Sequence, residues 1–319
     1  MSLNCIILDD YQNVALSLAD WATLEPTVRT TALTQHYDNQ DELVSHIEQA
    51  DILVVMRERT PLTAELIGRL PNLKLVVTSG MRNASIDLHA CAERYIAVCG
   101  TASSSAAPME LSWGLLIGLA RHIYAEQQAL RSNGPWQHTL GLGLQGKTLG
   151  LLGLGKIGGE MAKVAQAFGM RVYAWSQNLT EARAAECGVE RMTSLDALLA
   201  ASDAVSVHLV LSERTHHLID SHAFAQMKPG ALLINTSRAG IVDQCAMIAA
   251  LQSGQLAGAG LDVFEQEPLP VDHPLRLLPN VLATPHLGYV ADSNYRTYFT
   301  QAVEDIQGWV TGAPLRSLL

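Results

Sequence analysis

The sequence predicts an α/β protein whose parallel sheets are covered by helices on both faces, divided into two domains. Three observations lead there. At 319 residues the chain is longer than most single domains. Short apolar runs alternate with helical patterns both before residue 100 and after residue 176, and such alternation implies parallel strands joined by crossover helices. Between these two regions, Lys147–Ser176 reads as a complete strand–helix–strand unit with Gly153, Gly155 and Gly158 at its first turn.

In order, Cys5–Leu8, Ile52–Val55, Leu75–Thr78 and Ile96–Val98 read as buried strands. Asp41–Ala50, Thr63–Leu70 and Asp87–Arg94 read as the helices between them, the second introduced by Pro61 and Thr63. The small-residue turn Thr78–Asn83 follows the third of these strands, at the carboxyl end where open α/β sheets bind ligands; a plain connection is the competing reading. Thr101–Pro108 is a Ser/Ala-rich break that suits an interdomain crossing, and Glu110–Gln128 follows as one long apolar helix. Beyond Ser176, strands are expected at Ala204–His208, Ala231–Asn235, Gly258–Asp262 and Val281–Ala283. Helices are expected at Ser194–Ala201, Ser221–Met227, Gln244–Ser253 and Ser293–Val310, the last stopped by Gly312 and Pro314.

The central unit carries the first chemical signal. Thr148–Leu152 is an apolar strand, and the helix after it puts Ile157, Met161, Val164, Ala165 and Phe168 on one face before Gly169. A tight turn, close approach of backbone to a pyrophosphate and close helix-to-strand packing each need a glycine, and the helix N-terminus offers free N–H groups to the anion. Gly141, Gly143 and Gly146 repeat the same spacing upstream. No strand precedes them and a strand follows, so by context that copy is a loop and the second copy is a dinucleotide-binding turn.

Composition narrows the rest. Hydrophobic content of 48% with 16% charge supports real cores, and a net charge of −10 argues against nucleic acid or an anionic membrane as partner. Cys5, Cys91, Cys99, Cys187 and Cys245 are scattered and odd in number, which suits reduced thiols in a cytoplasm. The opening MSLNCIILDD reads as a first strand, with no signal-peptide pattern, and the longest apolar stretch, Leu111–Ala120, is too short to span a bilayer. His216, His217 and His222 lack the spacing of a metal site, and none is expected.

Six stretches taken together resemble the D-isomer-specific 2-hydroxyacid dehydrogenases: LKLVVTSGMRNASID, GKTLGLLGLGKIG, SDAVSVHLVLSERTHHLID, MKPGALLINTSRAGIVD, LAGAGLDVFEQEPLP and NVLATPHLG. The resemblance spans nearly the whole chain, within it phosphoglycerate dehydrogenase-like and glyoxylate/hydroxypyruvate reductase-like members. It implies two flavodoxin-like or Rossmann-like domains with an active-site cleft between them. It places a substrate domain at 1–103 plus 289–319 and an NAD(P)-binding domain at 104–288, and implies a homodimer. The family's catalytic trio falls on Arg238, Glu267 and His286. Histidine, with an ordinary pKa near ~6.5, suits proton donation to a carbonyl oxygen that is receiving hydride at its carbon. A neighbouring carboxylate favours the imidazolium and orients the ring; arginine offers a two-pronged donor to a substrate carboxylate.

The same resemblance assigns cofactor contacts to Gly153, Gly155, Lys156, Ile157, Gly158, Ser176, His208, Thr215, Thr236, Ser237, Asp262 and Gly288, with Asp262 on the nicotinamide carboxamide. Substrate contacts fall on Arg57, Ser79, Gly80, Met81 and Arg82, backbone N–H groups of the Ser79–Asn83 turn taking the substrate carboxylate. Two positions depart from the family pattern. Val210 stands near His208 where proline is common, and Ser176 stands where NAD-preferring sites place an acid for the ribose. NAD and NADP therefore both stay open, with Arg183 the nearest cation for a 2′-phosphate. The expected substrate is a small 2-keto or 2-hydroxy acid such as glyoxylate or hydroxypyruvate. A 3-phosphoglycerate-type substrate and an NAD(H)-sensing, corepressor-like role stay open beside it; Glu267 speaks against a formate dehydrogenase, where glutamine commonly replaces the acid.

Overall fold

The computed structural model describes residues 2–313 and 315–319; Met1 and Pro314, the latter read above as a helix stop, lie outside the described residues. The chain forms two compact units, Met1–Ser104 with Ala291–Leu319, and Ser105–Val290.

In the first unit, β1 (Leu3–Ile7), β2 (Val28–Ala32), β3 (Ile52–Val55), β4 (Leu75–Thr78) and β5 (Ala97–Gly100) form one parallel sheet in the order β2-β1-β3-β4-β5. Every residue of β3 and β4 is buried, as both faces of a covered parallel sheet require. The strand order reverses between β1 and β3, so the loops after these strands open on the crevice where such sheets receive ligands. The helices between strands begin where sequence polarity says they should. Asn39 caps Gln40–Ile47, Thr63 Oγ1 accepts from Leu66 N at 3.2 Å, and Asp87 accepts from Ala90 N at 2.9 Å.

In the second unit, β6 (Thr148–Leu152), β7 (Arg171–Trp175), β8 (Glu190–Arg191), β9 (Ala204–Val207), β10 (Ala231–Asn235), β11 (Leu256–Leu261) and β12 (Val281–Ala283) form a parallel sheet. Its order is β12-β11-β10-β9-β6-β7-β8. Here the order reverses between β6 and β9, which brings the Gly153–Gly158 turn and His208 to one point at the carboxyl edge. The α/β class and the doubly wound parallel sheets predicted from sequence are those observed.

Several elements differ from the sequence reading. The edge strand β2 and the two-residue β8 were not predicted, nor was the helix Glu181–Glu186 capped by Thr180. The long helix expected over Glu110–Gln128 is two helices, Ala106–Ala120 and Ile123–Arg131, because His122 takes a left-handed backbone at φ 51°. Gly141 and Gly143 lie in irregular chain, and Gly146 turns at φ +76° immediately before β6.

Candidate active site

The turn after β6 has the geometry of an anion cradle. Gly153 sits at φ +97°, and a Cβ there would meet the carbonyl oxygen of His208 at 2.6 Å. A Cβ on Gly158 would meet the carbonyl oxygen of Gly153 at 2.2 Å, so helix Lys156–Ala167 approaches the turn more closely than any side chain permits. No side chain caps that helix, whereas Thr180, Ser194, Asp220 and Asp243 cap others of this unit. An uncapped N-terminus with open space before Gly155 leaves the first-turn N–H groups, Lys156 and Ile157 among them, for an external anion. The residues present therefore fit a dinucleotide.

Around this turn, the neighbouring positions are held by named contacts. His208 Nε2 lies 2.8 Å from Ser206 Oγ, and burial pushes the ring down to about 4, so it is neutral at physiological pH. Thr236 Oγ1 pairs with Ser112 Oγ at 2.7 Å, Ser237 Oγ donates to Leu209 O, and Thr215 Oγ1 donates to Val210 O at 2.8 Å. Ser176 follows β7 directly, its carbonyl accepting from Leu179 N. Arg183 is engaged elsewhere: Nε donates to Leu154 O at 2.9 Å, Nη2 to Gly155 O at 3.1 Å and Nη1 to Glu186 Oε2 at 2.7 Å.

The carboxyl ends of β10, β11 and β12 carry the trio. Buried Asn235 shapes the loop after β10, its Nδ2 donating to Arg238 O at 3.0 Å and its Oδ1 accepting from Ser237 N at 3.1 Å. Glu267 Oε1 accepts from Phe264 N at 2.9 Å, which fixes the carboxylate; Oε2 lies 2.6 Å from His286 Nδ1. Both side chains remain part-exposed, at 28% for His286 and 34% for Glu267. The short contact makes Nδ1 the donor to the carboxylate, leaving Nε2 as the nitrogen able to exchange a proton.

His286 has a left-handed backbone, φ 54°, in the loop after β12. Asp262 braces that loop on both sides of it. Oδ1 accepts from Thr284 Oγ1 at 2.6 Å and Leu287 N at 2.7 Å, and Oδ2 from Gly288 N at 2.7 Å. Burial raises the Asp262 carboxyl, and these three donors act against that rise.

In the first unit, Ser79 Oγ accepts from Arg57 N at 2.8 Å and Arg57 Nη1 donates to Ser79 O at 3.3 Å. Gly80, at φ +91°, leaves the space that the Arg57 guanidinium fills, since a Cβ would lie 2.1 Å from Nη1. The turn has fewer amides to offer than the sequence suggested. Ser79 N–H donates to Val55 O at 3.1 Å and Gly80 N–H to Thr101 Oγ1 at 2.9 Å, so only residues beyond Gly80 remain as donors. Met81 and Arg82 are exposed.

A polar cluster that the sequence reading passed over lies after β1, β2 and β3. Buried Asp9 pairs with His36 Nδ1 at 2.9 Å and accepts from Thr60 Oγ1 at 2.7 Å, and Arg59 stacks 4.3 Å over the Tyr11 ring. The bond to Asp9 raises the His36 pKa. Two acids directly after a buried strand, Asp9-Asp10, were its only sequence signal. The rings of His216 and His217 stack at 3.9 Å, and among the described residues no three His, Cys, Asp or Glu side chains are grouped to hold a metal.

Residues 113–288 match the family model for the NAD-binding domain of D-isomer specific 2-hydroxyacid dehydrogenases. The hydroxypyruvate reductase of Thermotoga maritima is 39% identical over 280 residues, covering 86% of this chain and 89% of that protein. A D-3-phosphoglycerate dehydrogenase of Methanocaldococcus jannaschii is 35% identical over 86% of this chain, which spans only 52% of that longer relative. The crystal structure of a phosphoglycerate oxidoreductase from Vibrio cholerae superposes with a TM-score of 0.92 at 34% identity, covering 98% of this chain and all of that one. The chain belongs to the D-isomer-specific 2-hydroxyacid dehydrogenases, NAD-dependent oxidoreductases acting on CH–OH groups.

Proposed function

We propose that this chain reduces a small 2-keto acid of the glyoxylate or hydroxypyruvate type to its D-2-hydroxy acid, with Arg238, Glu267 and His286 as catalytic residues. The observation that carries the reading is the Glu267–His286 pair at 2.6 Å, with Glu267 tied to the backbone at Phe264. The nicotinamide, when bound, supplies the hydride. His286 Nε2 gives a proton to the carbonyl oxygen as the carbonyl carbon is reduced, and takes it back in the reverse reaction. Glu267 holds the ring by Nδ1 and offsets its positive charge. Arg238 binds the substrate carboxylate through its fork, and Met81 and Arg82 supply the remaining contacts of the turn. The functional division assigns substrate to 1–103 plus 289–319 and cofactor to 104–288.

The substrate assignment leans on the T. maritima hydroxypyruvate reductase, which this chain matches over most of both lengths. Arg57, held against Ser79 and beside Glu58 at 3.6 Å, together with Arg82, gives a 3-phosphorylated acid its best case. Measuring kcat/KM for hydroxypyruvate and its 3-phospho form, in wild type and Arg82→Ala, decides between them. The expected result is preference for hydroxypyruvate; a preference for the phosphorylated acid that disappears in the variant would overturn it.

The segment after helix Ala106–Ala120 supports a homodimer. Helix Ile123–Arg131 buries no residue, and Ile123, Tyr124, Leu130, Trp136 (79% exposed) and Leu140 (94% exposed) present apolar surface within one stretch. A second copy of this face is its proposed cover. Light scattering should give a dimer that Trp136→Glu with Leu130→Glu converts to monomer; a monomeric wild type would contradict this. A reducing, cytoplasmic setting agrees with five unpaired cysteines, three of them buried. No helix among the described residues is long and apolar enough to cross a membrane.

A further inference from the structure

The geometry points to Arg183 as a positioning residue that holds the cofactor turn from behind. Its guanidinium is shared among three acceptors. Two are consecutive-turn carbonyls, Leu154 O at 2.9 Å and Gly155 O at 3.1 Å, and the third is Glu186 Oε2 at 2.7 Å. Arg183 lies on helix Glu181–Glu186, which follows β7, so it links the segment beyond the second strand of the βαβ unit back to its glycine turn. Thr180 caps the start of that helix through Arg183 N at 3.2 Å, which fixes the residue's backbone.

The inference rests on the reading that the Gly153–Gly158 turn receives the cofactor's pyrophosphate, and it accounts for a further glycine. Gly159 lies beyond the spacing that the turn itself needs. A Cβ at Gly159 would lie 2.9 Å from Arg183 Nη2, so the guanidinium packs directly against this glycine and its end would have to shift for a larger residue. The electrostatics run in one direction. Carbonyl oxygens beside a pyrophosphate repel it; a guanidinium that binds two of them draws their negative ends away and stiffens the peptide planes whose N–H groups face the anion. A planar fork suits two neighbouring carbonyls better than an ammonium does.

This role also bears on which cofactor is used. Arg183 was the nearest cation for a 2′-phosphate beyond Ser176, and its donors are instead directed at the turn and Glu186. We therefore expect it to strengthen the binding of NADH and NADPH alike, by acting on the pyrophosphate that both contain.

Calorimetric titration of NADH and NADPH into wild type, Arg183→Ala, Arg183→Lys and Gly159→Ala tests this, with thermal midpoints and steady-state kinetics alongside. Arg183→Ala should weaken both cofactors about tenfold, the loss appearing in KM for the cofactor far more than in kcat. Arg183→Lys should recover part of the affinity, and Gly159→Ala, which displaces only the end of the Arg183 side chain, should lose less than Arg183→Ala. Unchanged NADH affinity in Arg183→Ala would overturn the proposal. So would a loss confined to NADPH, which would make Arg183 a ligand of the 2′-phosphate. Failure of the wild type to bind NADH would be a different result, refuting the reading of the turn itself and this proposal with it.

Discussion

Replacing Gly158 by Ala tests the cofactor turn at its tightest point. The added Cβ would stand 2.2 Å from the carbonyl oxygen of Gly153, against an ordinary contact of 3.4 Å or more. The obstacle is backbone, so relief requires the helix N-terminus to retreat by about 1 Å from the turn. Overpacking of this kind costs about 1–3 kcal/mol, and the retreat moves the Lys156 and Ile157 N–H groups out of register with Gly153. Where that cost falls on the bound state, NADH affinity drops by about 5- to 150-fold. Titration of NADH by fluorescence or calorimetry reads the loss, with the thermal midpoint measured alongside. NADH affinity within twofold of wild type, in a folded variant, would refute the account of this turn.

Other outcomes follow from the same geometry. Ser176→Asp should place an acid at the end of β7 and raise the NADH/NADPH ratio of kcat/KM by like-charge repulsion of a 2′-phosphate; an unchanged ratio would mean that this strand end does not meet the ribose. Glu267→Gln should lower kcat for keto-acid reduction by about tenfold or more while preserving NADH affinity, since the Nδ1 contact persists without its charge. Full activity in that variant would remove Glu267 from the mechanism. His208 supplies a stability prediction. Its folded pKa of about 4 lies below the ordinary ~6.5, so the unfolded chain protonates first as pH falls. Stability from the neutral ring is complete above about pH 6.5 and is lost as pH falls towards 4, roughly 2 kcal/mol of it between pH 7 and 5. Urea midpoints at the two pH values should show a smaller fall for His208→Gln than for wild type; equal falls would contradict the neutral ring.

The parallel-sheet class was legible because buried strands such as Ile52–Val55 and Ala231–Asn235 are continuous apolar runs, and their observed limits coincide with those runs. The strand β2 escaped because an edge strand needs little burial; of Val28–Ala32 only Val28 is buried. The break at His122 escaped because hydrophobic periodicity carries no information about one left-handed residue. At the site, glycine spacing in its strand–helix–strand context pointed to Gly153–Gly158, and the family resemblance implied the Glu267–His286 pair. Spacing said nothing of the contacts that hold them. The Asp262 brace depends on backbone N–H groups of Leu287 and Gly288, and the Arg183 contacts depend on backbone carbonyls. Main-chain partners are common to every residue type, so no side-chain pattern marks them. The Asp9–His36 pair joins residues 27 apart on different loops, and only the adjacency of β1 and β2 brings them together.

The most direct test of the central claim is hydroxypyruvate reduction by NADH in wild type and His286→Gln, with NADH affinity measured on the same preparations. The account predicts turnover in wild type, a loss of about 10²- to 10⁴-fold in kcat for the variant, and NADH affinity within twofold of wild type. Near-normal turnover in His286→Gln would contradict it.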